Sequence, residues 1–350
     1  MEKAFLSESM ENKKECLTGD CPPMNEKVNP NIVKLSEGSG GREMHKLISE
    51  ITSNLNRGGW EHNDEDSASL SIEGKKLLFT TDSYVVTPLF FPGGDIGKIA
   101  FCGTVNDLSV MGAKPLGISL GLIIEEGFPK EDLFKILKTI GQLSKETDIP
   151  VVTGDTKVME KGSVDKIIIN TSGVGLSQAI LDKKLQTGDK IIVSGGIGEH
   201  GTALLAKRFE LETSIKTDSK PIWEEINSIR NLIKKAKDIT RGGLAAVLNE
   251  IAQKDKRQFL IYEEQIPLMN EVRALTEILG IELYSLACEG RFVCACSPED
   301  EKAVLERLRK FNPMAATIGE VKEGNDVVVQ TNFGKKILSM PSGNIVPRIC

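Results

Sequence analysis

From Lys76 onward, apolar runs of strand length alternate with apolar residues at helical spacing, a pattern that leaves little choice other than helices layered on sheets. Lys76–Thr87 (KLLFTTDSYVVT) reads as a strand, Asp95–Met111 as a helix and Leu116–Glu125 as a strand. Leu133, Ile136, Leu137, Ile140 and Leu143 recur at the spacing of an amphipathic helix, and Pro150–Thr153 and Lys166–Val174 read as strands. A second unit opens near Gln186, where TGDKIIVSGG is a turn followed by a buried-type strand. Beyond it the pattern predicts helices at about 200–211, 221–237 and 242–254, and strands at 258–262, 283–287 and 291–296. Leu305 and Leu308 mark a last helix, and two strands follow to about Leu338. The halves match in length and element mix, so the expected fold class is α/β (α+β), with two related domains. The expected boundaries are a disordered polar extension over 1–29, domains over 30–178 and 179–338, and a mobile tail over 339–350.

A net charge of −6, with 27% of residues charged, lacks the basic excess of a general nucleic-acid or anionic-membrane binder. No apolar run approaches the roughly 20 residues needed to span a bilayer, and no apolar segment of a secretory signal opens the chain. The expected location is therefore cytoplasmic. The seven cysteines form neither a dense disulfide pattern nor paired zinc knuckles, and plain thiols are expected.

Two glycine motifs mislead. Gly196, Gly198 and Gly201 spell G-x-G-x-x-G, but the polar ETSIKTDSKP stands where a dinucleotide site needs a second strand ending in an acidic residue. The glycines read instead as a turn that lets a helix pack closely on a strand. Gly93–Lys98 (GGDIGK) has one residue too few for a Walker loop, and Ile99 stands where Ser or Thr should be. Its helix start remains able to receive phosphate through free N–H groups.

The chemistry resides in acidic residues at strand ends and glycine-bounded turns: Glu65 and Asp66 in NDEDSA, Asp82 in FTTDS, Asp107 in TVNDLSVMG, Asp155 in VTGDTK and Asp238 in KDITRGG. Any one of them serves as well for a cap or turn. Together they are the hard oxygen donors that a magnesium–nucleotide site without a Walker loop requires. The final residues are Pro-Arg-Ile-Cys, and an exposed thiol is a liability unless it has a use.

LFTTDSYVVTPLFFPGGDIGKIAFCGTVNDLSVMGAKP, VVTGDTKV, DITRGGLAAVLNEIA, CEGR and PRIC, in this order over roughly 31–350, resemble the HypE family of hydrogenase maturation proteins. That family lies within the superfamily of aminoimidazole ribonucleotide synthetase and selenophosphate synthetase. The resemblance implies two domains of that type, and ATP and Mg²⁺ as cofactors. It also implies an ATP-dependent carbamoyl dehydratase that turns an S-carbamoyl group on Cys350 into a thiocyanate. The implied partners are a carbamoyltransferase that loads Cys350, an iron-carrying scaffold that accepts the cyanide, and a second copy of the chain.

By match to the family motifs, Asp66, Asp82, Asp107 and Asp238 are metal and phosphate ligands, and Asn106, Thr153 and Asp155 contact ATP. Phe90, Phe91 and the segment ending in Lys98 shape the nucleotide pocket. Gly38, Gly40 and Gly41 form a flap over the phosphates. Glu289 is the proton acceptor and Lys157 orients the amide oxygen or relays a proton, with a phosphate-pairing lysine and a structural ion pair of Glu289 with Arg291 or Arg241 as the plainer readings. Cys350 carries its own α-carboxylate, which disfavours thiolate; Arg348 offsets this and Pro347 stiffens the approach. The chain departs from the family pattern at Glu37 (usually His), Glu65 (usually Asp), Lys237 (usually Arg) and Cys288 (usually Asn). Two rival readings stand beside this one: another ATP-using synthetase of the superfamily, and a non-catalytic scaffold whose terminal cysteine binds iron or a partner.

Overall fold

A 15-residue helix buried along almost its whole length sits at the centre of the computed structural model, which describes residues 32–343 and Ile349. This helix, Ile96–Val110, is named α2 because Arg42–Ser53 forms an earlier one, α1. A helix buried all round needs partners on both sides. On one side α2 meets the sheet of the first half. On the other it meets α5 (Trp223–Ile229) and β9 (Ile233–Asp238). Ile96, Ile99, Phe101, Val105 and Leu108 are fully buried along it, each stabilising the fold by about 1.5–3 kcal/mol. Asp95 caps its start by accepting from the Lys98 N–H at 3.0 Å.

The first sheet contains β1 (Ala68–Ile72), β2 (Lys75–Tyr84), β5 (Lys114–Glu125), β6 (Val151–Met159) and β7 (Ile167–Ser177) in the order β1-β2-β7-β5-β6. All its pairs are antiparallel except β5–β6. A two-residue hairpin, β3 (Phe90–Phe91) and β4 (Gly94–Asp95), precedes α2. The amphipathic helix α3 (Lys130–Thr147) buries Ile136 and Ile140 against α2. The second sheet runs β14-β13-β10-β12-β8-β11-β9. Its strands in chain order are β8 (Lys190–Val193), β9, β10 (Gln258–Tyr262), β11 (Phe292–Cys296), β12 (Ala316–Lys322), β13 (Val327–Thr331) and β14 (Gly334–Ile337). Helices α4 (Glu199–Arg208), α6 (Gly243–Asp255), α7 (Asn270–Leu279) and α8 (Glu301–Leu308) complete this half. No helix among the described residues is long and apolar enough to cross a membrane.

Three expectations change. The helix expected over 221–237 is α5 followed by strand β9. Its lysines favour helix locally, but acidic partners from elsewhere hold them in the sheet. Lys234 bonds Asp189 at 2.6 Å, and Lys235, only 4% exposed, reaches Asp182 at 2.7 Å and Asp255 at 2.8 Å. The strand expected over 283–287 is a 3₁₀ turn, Leu283–Ser285, whose backbone lies against Gly243 at the start of α6. Three strands rather than two close the second sheet before Leu338. Helices α1 and α7 and strand β1 have no counterpart in the sequence reading. The glycine turn over 196–201 does bring α4 close: a Cβ on Gly201 would stand 3.0 Å from Leu286. The extension over 1–29, with Cys16 and Cys21, lies outside the described residues, as do Pro347, Arg348 and Cys350.

Candidate active site

Alternation along β2 turns Thr80 and Tyr84 inward with Asp82 toward α2. The Tyr84 hydroxyl donates to Asp82 Oδ2 at 3.0 Å, and the Thr80 hydroxyl donates to Asp107 Oδ2 at 2.8 Å. Gly103 makes this possible, because a Cβ there would collide with the Tyr84 hydroxyl at 2.0 Å. Asp107 comes from α2, Asp238 from the end of β9, and Asp66 from the turn before β1. The four carboxylates feel one another. Burial raises the Asp107 pKa well above 3.8, and the charges of Asp82, Asp238 and Asp66 raise it further. Burial and then Asp66 do the same to Asp238. Asp66 is pushed up to about 6 by burial, against the pull of Lys237 2.5 Å away. Its Oδ2 is buried with no hydrogen-bond partner.

Such a set stores repulsion that a hard cation would relieve. Among the described residues no three His, Cys, Asp or Glu side chains form a metal cage by themselves. A magnesium ion needs only one or two carboxylates when phosphate oxygens and water complete its shell. The residues therefore fit an ion shared with a polyphosphate.

The repulsion has a measurable consequence. An unfolded aspartate releases its proton near 3.8, whereas folded Asp107 holds it to higher pH. Rising pH through that interval favours unfolding. Asp107→Asn is expected to raise the stability of the ligand-free protein by about 1–2 kcal/mol at neutral pH and to flatten its decline above about pH 4. Urea unfolding of both proteins from pH 3.5 to 8 checks this; a destabilised variant at pH 7 would contradict it.

Glu289 is 3% exposed and its Oε1 has no hydrogen-bond partner. Burial raises its pKa well above the ordinary value, with Asp238, Asp218 and Asp82 adding to the effect and Arg241 opposing it. The expected alternative of an ion pair with Arg291 is not what forms. Arg291 bonds Glu199 at 2.7 Å and lies 3.8 Å from Asp218. Asp218 in turn accepts from the Glu289 backbone N–H at 3.1 Å. Asn106 spends its amide on backbone: it donates to the Lys220 and Glu289 carbonyls and accepts from the Ile222 N–H. It holds the Glu289 segment against α2, and these bonds occupy the group that was expected to meet ATP.

The glycine segment also has neighbours. Gly40 (φ 77°) lies against the Arg241 backbone. At Gly41 (φ 106°) a Cβ would meet the Pro341 carbonyl at 2.3 Å. Gly38 is the end of a 3₁₀ turn, Leu35–Gly38, and its carbonyl accepts from Arg241 at 3.4 Å. Lys98 is tied differently from expectation. Its ammonium donates to the Gly93 carbonyl at 2.9 Å, and its N–H is taken by Asp95. The helix start therefore does not offer that N–H to phosphate. Thr153, Asp155 and Lys157 stand apart on the edge strand β6, where every residue is exposed. The Asp155 and Lys157 side chains are 73% and 67% exposed and 3.5 Å apart. Three strand spacings, about 14 Å, separate β6 from β2 and Asp82.

Residues 64–177 match the N-terminal domain of the AIR synthase related proteins, and residues 186–332 match their C-terminal domain. The carbamoyl dehydratase HypE of Rhizobium leguminosarum bv. viciae is 41% identical over 91% of this chain and 95% of its own. The chain belongs to the HypE family. A crystal structure of a HypE–HypF complex superimposes with a TM-score of 0.79 at 41% identity, covering 84% of this chain and 99% of that one. HypE in complex with ATP gives 0.76 at 36% identity, covering 91% and 100%.

Departures from the HypE pattern now have surroundings. Lys237 is the hub of an acidic group, 2.5 Å from Asp66, 3.4 Å from Glu250 and 4.0 Å from Glu65, and these carboxylates, Asp66 foremost, hold its pKa well above the ordinary value despite burial. Glu65 is bonded by Lys254, which also reaches Asp182 at 2.9 Å, so the longer side chain is engaged by lysine. Cys288 is buried and accepts from the Gly198 N–H at 3.2 Å. Sequence reading passed over three residues: Asp218, in a stretch read as polar loop; Lys237, noted only as a departure; and His200, read as part of a structural turn. No local pattern marks them, since each takes its partners from distant segments.

Proposed function

We propose that the chain dehydrates an S-carbamoyl group on Cys350 to a thiocyanate at the expense of ATP, supplying cyanide for the iron of a [NiFe] hydrogenase. Membership of the HypE family supports the activity class. The observation that carries the assignment to Cys350 is the burial of Ile349 beside Leu286 and Ala287, in the stretch that continues to Glu289. Ile349, the residue before the thiol, is thus buried in the same cluster as Leu286 and Ala287, three and two residues before Glu289, whose buried Oε1 has no hydrogen-bond partner.

In the proposed reaction the carboxamide oxygen attacks the γ-phosphorus of ATP, the bond to ADP breaks, and nitrogen yields its first proton. The C–O bond then breaks with phosphate as the leaving group, the second N–H proton departs, and the nitrogen pair completes the C≡N bond. The water formally lost ends in the phosphate. Glu289 accepts a nitrogen proton, a role suited to a carboxyl whose pKa lies well above the usual range. Asp66, Asp82, Asp107 and Asp238 would hold Mg²⁺, which neutralises polyphosphate charge when bound. Gly40 and Gly41 bring backbone close to Arg241 and Pro341, in keeping with a flap at the phosphates. The division at 178/179 into a nucleotide-binding and a second domain belongs to the same reading.

Thr153, Asp155 and Lys157 join the site through a second copy of the chain. The edge strand β6 is uncovered, and Phe79, Ile123, Val152 and Val158 are exposed across the first sheet and that edge. An unpaired edge beside an apolar face is a surface for strand pairing between copies. HypE–HypF association in a relative supports a carbamoyltransferase as the protein that loads Cys350; an iron-carrying scaffold takes the cyanide, and the reaction runs in the cytoplasm.

Mass spectrometry of the peptide containing Cys350 tests the reading. The protein is incubated with the carbamoyltransferase and carbamoyl phosphate, then with Mg-ATP in a second step. Carbamoylation followed by ATP-dependent loss of one water is the expected result. An unmodified Cys350, with the transferase active on another acceptor, sinks the proposal.

A further inference from the structure

His200 lies in the buried part of α4, with its ring edge-to-face on Phe91 at 5.4 Å between centroids. Nδ1 is 2.9 Å from Thr217 Oγ1, and Nε2 is 3.0 Å from the carbonyl oxygen of Ile349. A carbonyl only accepts, so Nε2 carries the proton and Nδ1 accepts from the Thr217 hydroxyl. That hydroxyl accepts in turn from the Ser219 N–H at 3.1 Å. The relay fixes the tautomer and the ring orientation together. Burial lowers the His200 pKa and so keeps the ring neutral.

The Ile349 carbonyl is part of the peptide bond that joins Ile349 to Cys350. The Ile349 side chain is buried in the cluster that contains Leu204, Leu205 and Leu286. Gly201 leaves room for it: a Cβ there would touch Ile349 Cδ1 at 3.4 Å. We infer that His200 is a positioning residue: by holding the Ile349 carbonyl it keeps the residue before the thiol in its buried place for dehydration. The inference rests on the reading of Cys350 as the carrier. Were Ile349 to leave this place, the Nε2–H group would lose its acceptor at a buried position, and an orphaned buried donor is costly. The bond therefore favours the buried place of Ile349 over any other.

The full-length chain supports the test. Cys350 alkylation by iodoacetamide is followed by peptide-resolved mass spectrometry, alongside single-turnover dehydration of the carbamoylated protein. His200→Phe keeps the ring volume and removes the donor; His200→Gln keeps an amide donor within reach. His200→Phe is expected to speed alkylation and slow dehydration, each roughly tenfold, the scale of one lost buried hydrogen bond. ATP binding should be unchanged, and His200→Gln should recover most of both effects. If His200→Phe does not fold, Thr217→Val, which removes the donor to Nδ1, should move both rates in the same direction by less. Unchanged rates in a folded variant overturn the inference. Equal losses in the Phe and Gln variants, in step with thermal stability, also overturn it and assign the ring to packing. Faster alkylation in His200→Phe, with a wild-type protein that never dehydrates Cys350, supports the hold on Ile349 and removes the carrier reading. Normal dehydration in the wild type with no response to either variant removes that hold alone.

Discussion

Glu289→Gln is expected to leave carbamoyl acceptance at Cys350 intact while slowing the ATP-dependent loss of water by roughly 10²–10⁴-fold, the usual contribution of a positioned general base. Glutamine preserves the volume of a side chain that is 3% exposed, so packing is little disturbed. It cannot accept the nitrogen proton. The neighbouring carboxylates supply a second signature. Burial, and then Asp238, Asp218 and Asp82, raise the Glu289 pKa well above 4.5. The wild-type rate should therefore rise with pH beyond the ordinary carboxylate range as Glu289 becomes a base, and this rise should vanish in the variant. Single-turnover rates across pH, read on the peptide containing Cys350, give both results. A variant with the wild-type rate and the same pH rise would remove Glu289 from proton transfer.

Mixing two inactive variants should restore activity if the site spans two copies of the chain. Asp82→Asn removes a carboxylate from β2, and Lys157→Ala removes the exposed ammonium on β6, about 14 Å away across three strand spacings. Each homodimer is expected to lose at least about 100-fold in ATP turnover, as for groups that hold transferring phosphate or the reacting oxygen. In a mixed dimer one site receives Asp82 from one copy and Lys157 from the other, and the second site receives neither. Random re-pairing after mild dissociation should then return about a quarter of wild-type turnover, because half the dimers are mixed and each has one intact site. No recovery, with mixed dimers demonstrated by native mass spectrometry, would place both residues in a single-chain site or outside the reaction.

Much of the fold was legible because its signals are local. The mostly apolar run Asp95–Met111 read as a helix and Lys76–Thr87 as a strand, and the structure holds Ile96–Val110 and Lys75–Tyr84 in those forms. Ile233–Asp238 was misread because three lysines in six residues resemble helix in any local window. Asp189, Asp182, Asp255 and Asp66, from four other segments, hold them in a strand.

The site divides in the same way. Sequence by itself determined which residues are acidic at element ends, that the chain belongs with the HypE motifs, and that a thiol follows Ile349. Only the tertiary structure decided which of these groups share a charge field. It brought the charges of Asp66, Asp82 and Asp238 close enough to raise the Asp107 pKa and those of Asp238 and Asp82 close enough to raise that of Glu289, tied Asn106 and Lys98 to backbone, left β6 as an open edge, and gave His200 the Ile349 carbonyl. Electrostatic coupling depends on distance and burial in the folded chain, and neither can be read from order along the sequence.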